Sequence, residues 1–419
     1  LKVFFLKVIF FKYILYMSKL DVMCDSDKLK IQEYEIVGSL GSGAYGKVKM
    51  AKRIGESDRQ FVLKFIPIKN PSSPKHNTVD LATIYSEIAI LQKIQTAGCV
   101  SDLLCYYDHF IDCSNPEIMY MIIVTLTFPN AIGLDKFIDK EITGIKSSLE
   151  DEINDLETEK DDISDDLEVT EDEDEKASLI KSFKRVTQKL KMVKDKLEQS
   201  SNIIPLSRNV LLTIFYNILH AIDKLHKLGI GHGDLKPENI LINPKTYAIQ
   251  IIDFGISCMS DCKVSGTLLY DSPEILDAII HGSKKLFSVE ELQKSDMFSL
   301  GLIFYKLANG ELPSGQNLIF KGQEYSGIPK LLDYYKINLN SNRLFSMYNE
   351  NSSPFDEKIN TFIESILIKR PDVSQLLDNI KRLIEEYNKL VEEKARRIQM
   401  KTSPTLLSPD FMTSPIRID

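Results

Sequence analysis

Three groups of residues have types and spacing that could do chemistry. The first is Leu40-Gly41-Ser42-Gly43-Ala44-Tyr45-Gly46-Lys47-Val48, three glycines at fixed spacing between two strand-like runs. Glycines there would let backbone amides approach phosphate oxygens with no Cβ in the way. Ordinary turns use glycine too. With no helical run after the loop, a dinucleotide-binding turn is disfavoured, because it needs a helix N-terminus facing the pyrophosphate. The second is Lys64, in the apolar run Phe61-Val62-Leu63-Lys64. It is either a surface lysine with a buried stem or a cation turned inward to hold phosphates. The inward reading needs an anionic partner, and Glu87 offers one from the middle of a helical pattern. The third and strongest is His232-Gly233-Asp234-Leu235-Lys236-Pro237-Glu238-Asn239, followed by Ile251-Ile252-Asp253-Phe254-Gly255. Asn239 and Asp253 supply hard oxygen ligands suited to a Mg²⁺ ion carried on phosphates. Asp234 is left free to take a proton from a hydroxyl. A lone Asp in a loop is commonly a turn or helix cap, but that does not account for the whole ordered set.

These residues need elements to position them. Residues 34–68 read as β-rich, 80–94 show helical spacing at Leu81, Ile84, Ile88 and Leu91, and 119–126 form a buried-strand run. From residue 206 helices dominate, notably 207–228, which stops at Gly229. A strand-rich first part and a helical second part predict an α+β chain of two lobes.

The chain has 419 residues, 43% hydrophobic and 27% charged, which excludes a wholly disordered or collagen-like polymer. The formal net charge is −8, so a nucleic-acid partner gripped by a global basic field is not expected. Residues 147–175 hold sixteen acids against one lysine, a net of −15. Residues 176–198 hold eight basic residues against two acids, a net of +6. Together they give −9 and leave +1 for the rest of the chain. Residues 145–204 lack Gly and Pro, and their apolar positions form two ladders. One is Leu149, Ile153, Leu156, Ile163, Leu167, with Lys160 in the sequence of steps; the other is Leu179, Phe183, Val186, Leu190, Val193, Leu197. Both step four-three, the seam spacing of a coiled coil. Folding back at Glu173 matches the ladders and lays the acidic strip on the basic one, predicting an antiparallel helical hairpin with an acidic tip at 170–175. A partly disordered charged segment is the alternative.

Six cysteines without a CxxC pair point to reduced thiols and a cytoplasmic setting, with the nucleus open as well. Zinc binding by Cys258 and Cys262 lacks a second ligand pair. Residues 1–16 are apolar but interrupted by Lys2, Lys7 and Lys12, too short to span a membrane. They read as sequence upstream of a start at Met17, with a membrane-surface anchor as the weaker alternative.

The ordered motifs resemble a eukaryotic-type protein kinase of the serine/threonine branch, over roughly 34–138 and 205–385. The resemblance implies a bilobal fold: an N-terminal extension at 1–33, a smaller lobe at 34–126, and a larger lobe at 127–390. The larger lobe carries the hairpin as an insert at 141–204, and a tail occupies 391–419. It implies ATP under Leu40, Gly41, Ser42, Gly43, Ala44, Tyr45 and Gly46, with Val48, Val62 and Leu241 around adenine. Lys64 would pair with the phosphates and Glu87, and Asp234 would be the catalytic base. Lys236 would neutralise the γ-phosphate, and Asn239 and Asp253 would hold Mg²⁺. Leu91, His232 and Phe254 would form an apolar column between the lobes. Asp296 would brace the catalytic loop, and Arg370 would pair with Glu274. The connection between lobes falls near 125–130. Lys236 with the Gly266-Thr267 pattern favours Ser/Thr hydroxyls of a protein substrate over Tyr.

Departures from the pattern carry their own expectations. Gly233 stands where many kinases have the Arg that meets an activation-segment phosphate, so the enzyme is expected to work without that phosphorylation. Val62 replaces Ala, Ser272 replaces Ala and Phe298 replaces Trp. A pseudokinase or scaffold acting through the hairpin is the alternative, and the presence of Lys64, Glu87, Asp234, Asn239 and Asp253 argues against it. A small-molecule kinase is disfavoured by the peptide-positioning look of 266–274. The acidic hairpin tip could dock a basic protein partner. Ser403, Ser408 and Ser414, each followed by Pro, could take phosphate from a proline-directed kinase.

Overall fold

A computed structural model describes residues 30–43, 46–56, 59–68, 78–98, 102–114, 118–170, 172–198, 206–263, 266–283, 285–310, 312, 328–340 and 353–401. The readings made above on residues 1–16, Met17, Ala44, Tyr45 and the three Ser-Pro sites of the tail lie outside these residues.

Five strands, β1 (Tyr34–Gly43), β2 (Gly46–Arg53), β3 (Gln60–Ile68), β4 (Tyr106–Asp112) and β5 (Met119–Leu126), form one antiparallel sheet in the order β1-β2-β3-β5-β4. Side chains alternate between the faces, and the sequence uses both. Phe61 and Leu63 of β3, with Ile122 and Val124 of β5, join Tyr34, Ala51 and Phe110 in a core on one face. Ile66, Ile68, Met121 and Ile123 join the main core on the other, with helix α1 (Leu81–Thr96). Lys64 is two residues from Ile66, so the same period aims it at α1. The buried stripe of α1 runs through Ile84, Ile88 and Leu91, and Glu87 lies within that stripe.

The larger lobe is helical: α2 (Leu134–Val169), α3 (Glu173–Glu198), α4 (Arg208–Lys227), α5 (Pro273–Ile280), α6 (Val289–Asn309), α7 (Ile328–Asn340), α8 (Pro354–Lys369) and α9 (Val373–Lys401). A small sheet of β6 (Ile132–Gly133), β7 (Ile240–Ile242) and β8 (Ile249–Ile251) faces the cleft. Helix α4 runs through the core, with Phe215 stacked 3.9 Å from Phe304 of α6. Its start is capped by the Ser207 hydroxyl, which accepts from the Val210 N–H, and its end passes into Gly229 at φ 65°. The lobes are tied behind the cleft, where the Leu104 N–H donates to the Ile251 carbonyl and the Ile251 N–H donates to that of Asp102.

Helices α2 and α3 pack against each other as an antiparallel hairpin. Leu156, Val186, Leu190 and Val193 are its buried seam, flanked by Leu149, Ile153 and Ile163. Lys189 meets Glu152 at 3.1 Å and Lys194 meets Glu157 at 2.6 Å across the arms. Two helices run across the boundaries drawn for the insert and the tail. No break falls at 141: the helix that buries Leu134, Phe137 and Ile138 in the lobe continues unbroken through Gly144 into the acidic arm. A single glycine costs only about 1 kcal/mol in a helix, less than ending the helix would. Helix α9 likewise runs past 390 to Lys401, its outer turns exposed and laced by i,i+4 pairs of Glu392 with Arg396 and Glu393 with Arg397.

The cysteines also differ from the expected free thiols. Cys258 and Cys262 are joined as a disulfide, with their Cα atoms 5.6 Å apart. Among the described residues, no helix is long and apolar enough to cross a membrane.

Candidate active site

The glycine loop is the hairpin between β1 and β2, closed by the register pair Gly43 and Gly46. Gly46 has φ 153°, and a Cβ there would collide with the Phe65 carbonyl oxygen. Glycine is therefore required where the loop presses on β3. Lys64 pairs across strands with Val48, and Val62 pairs with Met50, so Val48, Val62 and Lys64 share the face that looks into the cleft. Leu241, on β7, is half-buried.

Lys64 joins the two lobes. Its Nζ donates to Glu87 Oε1 at 2.7 Å and to Asp253 Oδ1 at 2.9 Å. Burial opposes its charge, but the two carboxylates together hold the ammonium above the usual lysine range. Burial opposes the charge of Asp253 as well, yet Lys64 holds that carboxyl below its ordinary value. Burial pushes Glu87 up, against the pull of Lys64. A cation between two carboxylates favours the charged form of each. Asp253 sits at φ 61°, a conformation that aspartate tolerates better than most residues.

The second half of the site is a closed ring. Thr267 Oγ1 donates to Asp234 Oδ1 at 2.7 Å, and Lys236 Nζ donates to Asp234 Oδ2 at 2.8 Å and to Thr267 Oγ1 at 2.7 Å. The Asn239 side-chain amide donates to the Asp234 carbonyl at 2.8 Å and to its Oδ2 at 3.0 Å. That fixes the Asn239 amide with its nitrogen toward Asp234 and its oxygen away. Beneath the ring, Asp296 is a buried clamp. It accepts from the N–H groups of His232 and Gly233, both at 2.8 Å, and lies 3.0 Å from His226 Nε2. His232 is fully buried, its ring 5.3 Å from that of Phe254. Leu91 is buried in the same core. Arg370 Nη1 pairs with Glu274, and its guanidinium lies 5.0 Å from the Phe298 ring.

The protein kinase domain family model matches residues 136–379, more than half of the chain. The chain belongs to the protein kinase domain family. Relatives agree with the serine/threonine branch. One is the serine/threonine-protein kinase nekl-2 of Caenorhabditis elegans, 32% identical over 174 residues, covering 40% of this chain and 42% of that protein. Another is the ovarian-specific serine/threonine-protein kinase Lok of Drosophila melanogaster, 35% identical over 115 residues, 26% of this chain and 23% of that one. A third is the CBL-interacting serine/threonine-protein kinase 2 of Arabidopsis thaliana, 32% identical over 116 residues, 26% and 23%. The chain spans less than half the length of these relatives.

The fold thus brings Lys64, Glu87, Asp253, Asp234, Lys236 and Asn239 to one cleft. Three features escaped the sequence reading. Thr267 bonds directly to both Asp234 and Lys236. His226, in α4, reaches Asp296 from far along the chain. Asp271 is 5% exposed yet its Oδ2 has no hydrogen-bond partner. Its only sequence signal was an acid inside an otherwise apolar stretch, Leu268-Leu269-Tyr270-Asp271.

Proposed function

We propose that the chain transfers the γ-phosphoryl group of ATP to serine and threonine hydroxyls of protein substrates. The observation that carries this reading is Lys64 bound at once to Glu87 and Asp253, a cation held across the lobes beside the Asp234 ring. Backbone groups of residues 40–46 would cover the phosphates, and Val48, Val62 and Leu241 would enclose the adenine. Asp234 takes the proton of the acceptor hydroxyl, while Lys236 and Thr267 hold its carboxylate in place. Lys64 supplies fixed charge toward the phosphates.

The Mg²⁺ ion fits the donors present. Asp253 offers an ionised carboxylate, and Asn239 turns its oxygen away from Asp234. Two side-chain oxygens suit an ion whose other ligands are phosphates and water. Bound there, it would neutralise phosphate charge.

Finer readings follow. Gly233 in place of Arg makes this a kinase of the non-RD type, which works without a phosphate on the activation segment. The exposed acids at the hairpin tip, Asp172, Glu173, Asp174 and Glu175, suit a basic protein partner. A requirement for ATP and protein substrates supports a cytoplasmic setting.

Radiolabel transfer from γ-labelled ATP to a generic basic protein tests the main reading. Label is expected on Ser and Thr, falling by at least about 10²-fold in Asp234→Asn. Undiminished transfer by that variant, or none by the parent protein, would overturn it.

A further inference from the structure

Asp271 lies on the turn that links Thr267 to α5. The turn is held by the Tyr270 N–H donating to the Thr267 carbonyl at 2.8 Å, and Ser299 Oγ donates to the Tyr270 carbonyl at 2.7 Å. The Asp271 side chain points back along the segment toward Gly266, where a Cβ would collide with its Oδ1. Gly266 therefore leaves this edge of the carboxylate without a side-chain cover.

The surroundings do not compensate the carboxylate. Its Oδ2 is enclosed and accepts no hydrogen bond. Burial, helped by the Asp234 charge and offset only in part by Lys236, raises its pKa to about 7. Lys236 is already bonded to Asp234 and Thr267. Two carboxylates thus share one lysine, and a buried unpaired carboxylate is costly. From α7, Tyr335 faces the same spot, and burial and the Asp271 charge both keep it a neutral phenol. Nothing on the protein side supplies the missing cation among the described residues.

A substrate can supply it. The acceptor hydroxyl must reach Asp234, whose Oδ1 bonds Thr267, four residues before Asp271 on the same turn. The neighbours of the acceptor residue therefore pass over the 266–271 segment. We propose that Asp271 is a specificity-determining residue: its enclosed carboxylate, unpartnered beside the Asp234–Lys236–Thr267 ring, pairs with a lysine or arginine adjacent to the phosphoacceptor. This rests on the protein kinase reading and names the substrate class within it. An Arg or Lys there gains a charge-assisted bond, and a leucine there strands the carboxylate, so discrimination comes from both sides.

The test is phosphotransfer to degenerate Ser/Thr peptide pools in which the two residues flanking the acceptor are fixed in turn as Arg, Lys, Gln, Leu or Glu. The parent chain should favour Arg or Lys at one flanking position by about tenfold in kcat/KM over Leu, through KM more than kcat. Asp271→Asn, nearly isosteric, should bring that ratio within about twofold while an ATP analogue still raises its melting temperature. Asp271→Leu should favour Leu. A basic preference that survives Asp271→Asn, an equal gain from Gln, or no flanking preference in the parent chain would each overturn the inference and leave the kinase reading intact. No transfer to any pool would overturn both. Loss of nucleotide-induced stabilisation in Asp271→Asn would assign Asp271 a structural role, which also overturns the inference.

Discussion

At the scale of single residues, the site rests on charges that compensate one another. Lys64 bridges Glu87 and Asp253, so its loss leaves a buried carboxylate and a half-buried one with no cation between them. Lys64→Met should lower kcat by about 10²–10³-fold, as removing one preorganised charge from a transition-state site does. Circular dichroism should show the fold retained. A kcat within a few-fold of the parent would refute the role. Asp296 acts one step back. Its two oxygens fix the N–H groups of His232 and Gly233, and hence the start of the loop that presents Asp234. Asn in its place can accept at one oxygen but turns an NH₂ group toward the other donor. Asp296→Asn should therefore reduce kcat while the KM for ATP changes little, measured by steady-state kinetics. A selective rise in that KM would instead place Asp296 in nucleotide binding.

At the scale of elements, local patterns were legible and long-range partners were not. The sequence left Lys64 open between a surface lysine and an inward cation with Glu87 as a possible partner, and the packing of β3 on α1 decides for the inward one. The two-ladder spacing fixed the hairpin seam. The continuity of α2 through Gly144 was hidden, because local glycine statistics weigh against helix while burial of Leu134, Phe137 and Ile138 on one side and Leu156 on the other outweighs them. The bond of Arg208 to Asp356, bidentate at 2.5 Å, spans 148 residues and had no local signal. It anchors α4 to the start of α8, where Ser353 and Asp356 cap each other. Burial opposes the charge of Asp356, but Arg208 and Ser353 hold its carboxyl below the ordinary value. A lowered folded-state pKa contributes stability that is present above about pH 4 and fades as pH falls through the folded-state value. Asp356→Asn should lose that acid limb and about 1 kcal/mol at neutral pH, read by denaturant unfolding. An unchanged difference between pH 7 and pH 3 would refute it.

At the scale of the whole molecule, the charge and the chemistry occupy separate bodies. The seam of α2 and α3 forms its own cluster, apart from the core that holds the cleft. Its exposed cross-arm pairs, such as Lys189 with Glu152, contribute little each, so the apolar ladder holds the arms together. The hairpin therefore leaves the cleft structurally independent. Helix axes pack 8–10 Å apart, so a Gly-Ser linker of about four residues could replace 147–198 without moving the root of α2. That deletion removes −9 from a total of −8 and leaves +1. The shortened chain should keep its kcat on a generic substrate within about twofold and unfold cooperatively. Near-zero net charge should make it less soluble at low ionic strength. If the acidic tip docks a basic partner, the KM for that partner alone should rise, and the rise should shrink as salt screens the parent interaction. A collapse of kcat on every substrate would instead show that the arms brace the cleft through the unbroken α2.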